Sequence, residues 1–398
     1  MRLRVCRLLP LAVLIILAAC DQKNADKRKW FKGNLHTHSF WSDGDEYPEM
    51  IIDWYKSNGY DFVALSDHNT LAAGEKWITV PKSRMYEEGF EKYMERFGES
   101  WIEFKMDTGR THVKLKTYQE YKTLFEDEGF LIIQSEEITD RFEGKPIHIN
   151  ATNVVDLIPA QGGSSVADLM QRNVDAVLRQ REQSGVPMFP HINHPNFYYA
   201  IDVEDMIALR GERFFEVYNG HPLVHNYGDS LRPGTETMWD LINMAYRKRD
   251  QSLLMGLATD DSHNYHQFGT AYSNAGRGWV MVHADSLDPA DLIRAMEDGD
   301  FYASTGVSLE RYDFVDNEIR IKVSQEEGVD YEIQFIGVAR NETRARVMDT
   351  VKGATASFKI TADHLFVRAK IVSSRLKTNP FQEKDMETAW TQPEIYTE

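Results

Sequence analysis

The histidines and carboxylates of this chain fall in a repeating arrangement. His36-Thr37-His38 and Asp261-Ser262-His263 each set two metal-ligating side chains two residues apart. On an extended strand that spacing aims both at the same side. Asp43, Asp67-His68, Glu136-Glu137, His148 and His194 add further donors. Asp260 competes with Asp261, and the Asp-x-His spacing favours Asp261. One His-x-His pair is commonly incidental; the whole set is not. Mixed nitrogen and carboxylate donors suit Zn, Mn or Fe(II) better than Ca or Mg. Without a Cys among them, they are not a structural zinc knot. The chemistry to expect is hydrolysis. Two close cations lower the pKa of a bridging water and stabilise charge on an attacked phosphoryl or carbonyl oxygen. No Gly-rich phosphate loop and no nucleophile elbow occurs, so nucleoside triphosphate use and Ser catalysis are not indicated.

Such scattered donors need elements that bring them together. Apolar runs at 30–38, 62–65, 130–133, 146–150, 187–193, 214–218, 253–259 and 278–283 read as strands. Segments 47–58, 118–128, 166–184, 235–248 and 289–297 read as helices, with Pro48 in a first turn and Gly59, Gly129 and Gly185 as stops. Apart from Asp43, each donor stands at or just after a strand, and in β/α barrels the strand ends converge on one mouth. Residues 70–117 break the rhythm and read as an insertion over the site, its aromatic residues mainly packing. After about Ser308 the helices stop, and 309–398 reads as a small C-terminal β-sandwich-like domain.

The motifs are similar to those of a known family. Asn34-Leu35-His36-Thr37-His38-Ser39 with Ser42-Asp43-Gly44 resembles the first motif of the PHP (polymerase and histidinol phosphatase) superfamily, and Leu65-Ser66-Asp67-His68-Asn69 the second. Ser135-Glu136-Glu137-Ile138-Thr139 resembles the segment that supplies a bridging Glu, with Glu137 in register. His148, Asn193-His194-Pro195 and Asp261-Ser262-His263 match the remaining ligand positions. Phe301–Gly306 and Ala389–Pro393 resemble the CehA/McbA-type metallohydrolase branch, which includes carbamate hydrolases. The resemblance spans 30–308 and implies an α/β fold, a distorted seven-stranded β/α barrel. It implies two or three divalent ions (Zn, Mn or Fe). One takes His36, His38, Glu137 and Asp261. A second shares Glu137 and takes His148 and His194. A third takes Asp43, His68 and His263, where many relatives have His in place of Asp43. Phosphoester hydrolysis is the leading activity implied. A carbamate, amide or ester hydrolase is the alternative, and a non-catalytic, metal-stabilised ligand- or glycan-binding surface protein is a third reading.

Other residues are candidates for the pocket. Asp261 and His225 are candidates for protonating the leaving group. Arg141, Asn219 and His221 are candidates for touching substrate, with Glu216 and His266 beside them. Asp67 is expected to orient His68, and His191 to support the site from behind. The net charge of −17 argues against binding a nucleic-acid duplex by its backbone. Arg2, Arg4 and Arg7 precede an apolar run, 8–17, and then Leu17-Ala18-Ala19-Cys20. This resembles a bacterial lipoprotein signal: 1–19 removed, Cys20 lipidated, and 20–29 a tether. The expectation is a lipid-anchored protein of the cell envelope, facing the periplasm or exterior. The other cysteine, Cys6, would be lost with the signal, leaving no disulfide.

Overall fold

The computed structural model describes residues 28–398. The expected signal segment and Cys20 lie outside the described residues. Among the described residues no helix is long and apolar enough to cross a membrane.

The chain begins with β1 (Lys29–Asn34), α1 (Pro48–Ser57) and β2 (Phe62–Leu65). The insertion follows as β3 (Trp77–Thr79), α2 (Arg84–Phe97), β4 (Phe104–Asp107) and β5 (Arg110–Lys114). Then come α3 (Tyr118–Phe125), β6 (Leu131–Phe142), β7 (Lys145–Thr152), α4 (Val166–Ser184), β8 (Phe189–Ile192), α5 (Val203–Ile207), β9 (Phe214–Asn219), α6 (Thr235–Lys248) and β10 (Met255–Thr259). The remainder is β11 (Trp279–Ala284), α7 (Pro289–Glu297), β12 (Phe301–Ser304), β13 (Leu309–Val315), β14 (Glu318–Val323), β15 (Tyr331–Ala339), β16 (Arg346–Lys352), β17 (Thr355–Lys359), β18 (His364–Leu376) and β19 (Met386–Thr391).

Seven strands run side by side in the order β10-β9-β8-β7-β6-β2-β1. They curl until the segments after the two outer strands meet. His38 N donates to Ser262 O at 2.9 Å, and Asp261 N to His36 O at 3.0 Å. Period two divides each strand between two layers. Phe62 and Ala64 of β2 point into the curl with Leu131, Ile133, Phe189, Phe214 and Leu257. Val63 and Leu65 point out, against Ile51, Ile52 and Tyr55 of α1. Helix α4 is capped by Ser165, whose hydroxyl accepts from Asp168 N, and ends at Gly185 with φ +69°.

Three features go beyond the sequence reading. The strands are not all parallel: β7 runs antiparallel to both β6 and β8. The insertion is an ordered unit, a three-stranded sheet β3-β5-β4 with α2. Its core of Val80, Tyr93, Ile102, Val113 and Leu115 includes Trp41 and Tyr47 from beside the first motif. Finally, the boundary near 308 is no break in the sheet. β11 joins β1, and β12, β19, β18, β15 and β16 extend the same sheet to 13 strands. A second sheet, β13-β14-β17, covers the face of this extension, enclosing Ile319, Ile321, Ile333, Phe335, Val367 and Ile371.

The pole where strands enter holds a buried carboxyl, Glu212. Its Oε1 accepts from Arg213 N at 2.7 Å and Phe214 N at 2.5 Å, while Oε2 has no partner. Burial raises its pKa from 4.5 to about 8. The folded state therefore holds this proton when the unfolded chain has lost it. The resulting stability is complete below pH 4.5 and is lost as pH rises through about 8. Urea unfolding of Glu212→Gln should show a smaller loss of stability from pH 6 to pH 9 than the parent. Parallel pH profiles would refute this assignment.

Candidate metal centre

The donors predicted from sequence gather at the pole where most of the seven strands end. His36, His38 and Glu137 are almost fully buried. Asp261 Oδ1 lies 3.3 Å from Nε2 of both His36 and His38. Glu137 sits between the two sides of the cluster. Its Oε1 is 3.4 Å from His36 Nε2, 3.4 Å from His194 Nε2 and 3.0 Å from His148 Nδ1. Its Oε2 is 3.3 Å from His38 Nε2 and 2.7 Å from His68 Nδ1. Asp43 closes the outer edge, 3.4 Å from His263 Nε2, 3.5 Å from His68 Nε2 and 3.7 Å from His38 Nδ1. Gly44 makes that approach possible, because a Cβ there would stand 2.5 Å from His38 O.

All nine expected ligands are thus brought together, in overlapping groups. Among the described residues, sets able to hold one ion are His36, His38 and Asp261; His36, Glu137 and His194; His68, Glu137 and His148; His38, Asp43, His68 and His263; and, behind the others, His36, His191 and Glu216. His148 Nδ1 and His194 Nε2 both approach Glu137 Oε1, at 3.0 and 3.4 Å. They come to it from different directions because β7 runs antiparallel to its neighbours. His148 lies in the strand's first half, opposite Thr139 of β6, and so reaches the mouth from the side.

Residues behind the donors fix their orientation. Glu216 Oε1 accepts from His36 Nδ1 at 2.7 Å and Thr259 Oγ1 at 2.7 Å. Its Oε2 accepts from His194 N at 2.7 Å and Asn219 Nδ2 at 2.8 Å. A proton on His36 Nδ1 leaves Nε2 as the lone-pair atom facing the cluster. Asn193 Nδ2 donates to Glu137 Oε1 at 2.7 Å. Asp260 faces away from the cluster, accepting from Tyr55 Oη and the backbone nitrogens of Gly276, Arg277 and Gly278. His191 is buried behind the cluster, its Nε2 3.6 Å from Glu216 Oε1. Backbone strain marks two of the donors: φ is +23° at His194 and +49° at Asp261.

Other expected positions fall elsewhere. His225 is exposed and stacks on Tyr199 at 4.6 Å, away from the cluster. The loop after β9 turns back where Val224 pairs with Phe197, and this carries His225 outward. Arg141 stays exposed on the β6–β7 hairpin opposite Pro146. Asn219 bonds Asp261 Oδ2 at 3.1 Å as well as Glu216, so it braces ligands. His221 does stand at the mouth, its ring 5.7 Å from that of His263. Asp67 holds Ser39 and Ser42 rather than His68. His266 bonds Asp45 O at 2.8 Å, beside the insertion. Glu216, central here, was foreshadowed by one signal: a carboxylate inside the apolar run Phe214–Tyr218.

Whether these residues suit cations is answered by Glu137. Its Oε2 is buried and makes no hydrogen bond, although two imidazole nitrogens lie within 3.3 Å. Donor atoms that converge without hydrogen-bond geometry are what a cation would satisfy. Charge agrees. Burial raises the Glu137 carboxyl, but His68, His148 and His36 outweigh it and hold it well below the usual range. Asp261 is likewise held ionised against burial, chiefly by His36 and His38. Burial, with His263 and His68, lowers His38 to about 3, and burial also lowers His148. Metal ligands must carry lone pairs, and His38 and His148 do; against burial, the neighbouring carboxylates raise His36, His263 and, to about 11, His68, where a cation would take the place of the proton.

The fold and the donors define a mixed α/β protein with a buried histidine–carboxylate cluster able to hold divalent cations. No family model and no curated protein matches the chain. A two-domain Bacteroides vulgatus protein, described as containing a predicted PHP-like metal-dependent phosphoesterase, aligns over 92% of this chain and 96% of its own, at 14% identity and TM-score 0.40. A candidate metal-dependent phosphoesterase of Bifidobacterium adolescentis aligns over 59% and 88%, at 14% identity and TM-score 0.32. An amidohydrolase of Chromobacterium violaceum aligns over 58% and 87%, at 13% identity and TM-score 0.27. Overlaps of this size do not define a reaction; the side chains must.

Proposed function

We propose that the chain is a metal-dependent hydrolase of the PHP type, acting on phosphoesters, with the seven curled strands as its distorted barrel. The observation that carries this is the placement of Glu137 between two groups of histidines, each oxygen facing a different group. His36, His38, Asp261, His194, His148 and His68 would hold the inner ions with Glu137, and Asp43 and His263 would complete an outer one. Divalent cations supply Lewis acidity and an activated water near neutral pH. The chain's own residues do the rest. Glu216 orients His36, and Asn193 orients Glu137. His221 Nδ1 accepts from Leu223 N at 3.2 Å, and burial lowers the ring to about 4. The neutral ring then carries its N–H on Nε2, where it would donate a hydrogen bond to the leaving oxygen and stabilise it without giving up the proton, a narrower role than the one expected from sequence for His225.

One observation favours carbamate or carboxylic ester hydrolysis as a second reading. Among the described residues, the ion-pair partners of Asp43, Glu137, Glu216 and Asp261 are histidines, which are neutral when they ligate a cation, so this reading asks for a less charged substrate than a phosphate dianion. Chelator-stripped protein reloaded with Mn, Zn or Fe should regain hydrolysis of aryl phosphoesters at least about 100-fold above the stripped protein. Metal-restored activity on aryl carbamates alone would favour the second reading. Activity on neither panel would refute both.

A further inference from the structure

Three of the seven residues after β8 are strained for a reason that metal binding does not explain. His194, Tyr198 and Tyr199 have φ of +23°, +51° and +52°. Bulky side chains rarely adopt such values, and they persist only where the surroundings enforce them. A core aromatic would be buried in return. Tyr198 is instead 62% exposed.

What the strain secures is an apolar wall that starts on the metal ligands. Phe197 N donates to His194 O at 2.7 Å, which turns the chain back over the cluster. The Phe197 ring then lies 5.0 Å from His194, 6.5 Å from His148 and 5.5 Å, edge-on, from His221. Tyr198 continues the wall, 4.6 Å from Phe197. Leu223, 47% exposed, flanks it from the next loop, which is tied on by the Phe197–Val224 pairing and by Leu223 N on His221 Nδ1. Tyr199 anchors the turn between the His225 ring and the Arg232 guanidinium, the latter 3.5 Å from its centroid. The opposite edge of the mouth is polar, formed by Asp43, His68 and His263. The mouth therefore has one charged side and one apolar side.

We propose that Phe197, Tyr198 and Leu223 form a subsite for an aryl group on the substrate, next to the bond that is cleaved. This rests on the hydrolase reading above. Aromatic rings prefer offset or edge-on partners with centroids 4.5–7 Å apart, and the exposed Tyr198 face supplies one. The preferred substrates are then aryl esters, with the phenolic oxygen leaving toward His221.

Phosphonates test this without turnover. Calorimetric titration of the metal-loaded full chain should show phenylphosphonate binding about tenfold tighter than methylphosphonate. Leu223→Ala and Tyr198→Gly should bring that ratio toward one and leave the methylphosphonate Kd unchanged. Glycine accepts φ +51° freely, so Tyr198→Gly should also raise Tm. Higher stability with lost aryl preference is a combination that a packing role would not give. Equal binding of both phosphonates by the parent, or a ratio unchanged in the variants, overturns the subsite alone. Binding of neither phosphonate, with no phosphoester turnover, overturns the hydrolase reading and the subsite with it.

Discussion

Glu137→Gln is expected to remove bound metal and to lower kcat/KM by about a thousandfold or more, while the chain stays folded. A loss of that size corresponds to several kcal/mol of charge stabilisation. The amide is nearly isosteric with the carboxylate, and its oxygen can still accept from Asn193 Nδ2. What disappears is the negative charge between five imidazoles: those of His36, His194, His148, His38 and His68. Metal content by mass spectrometry, with circular dichroism as the control for folding, reads both halves of the expectation. Glu216→Gln is the graded comparison. It acts only by orienting His36 and His194, and such supporting groups typically change affinity or activity by 10–100-fold. A Glu137→Gln chain that keeps its metal and its turnover would refute the central place given to this carboxylate.

The donors could be read from the sequence because their chemistry and spacing are local. His36-Thr37-His38 needs only one extended stretch to put two rings side by side. Asp261 could be chosen over Asp260 for the same reason, and the two side chains do separate, one toward the cluster and one toward Tyr55. What escaped depends on chain direction and on distant pairing. An apolar run such as 146–150 has no sign of its direction, so the antiparallel β7 and the sideways entry of His148 were hidden. His221 and His225 both follow β9, and only the pairing of Val224 with Phe197 decides which of them stays at the mouth. The extended sheet was hidden in the same way. Tyr302 to Ser304 pair with Ala389 to Thr391, a register between strands more than 80 residues apart. The two segments that resembled the narrower branch are thus neighbouring strands.

That shared sheet gives the largest expected stability effect away from the site. Arg368→Ala should lower unfolding free energy by about 3–5 kcal/mol, the usual cost of removing one partner from a buried ion pair. β18 is buried on both faces at this point. Val367, Ala369 and Ile371 face the second sheet, while Arg368 and Lys370 face α6. The Arg368 guanidinium, 1% exposed, meets Asp240 by two bonds, Nε to Oδ1 at 2.8 Å and Nη2 to Oδ2 at 3.0 Å. It also lies 4.8 Å over the Trp239 ring and 3.4 Å from Glu236. Alanine leaves Asp240 buried without its bidentate partner, and burial already pushes that carboxyl up. Arg368→Met with Asp240→Leu removes both charges and fills most of the volume, so the double variant should recover most of the loss. Urea unfolding of the set measures this, and a cost below about 1 kcal/mol for Arg368→Ala would rank the pair with weak surface bridges. Because β19 and β12 connect β18 to β11 and β1, the strand leading into His36, each variant should still unfold in one transition. A separate early transition for 309–398 would show that the continuous sheet does not bind the two parts into one cooperative unit.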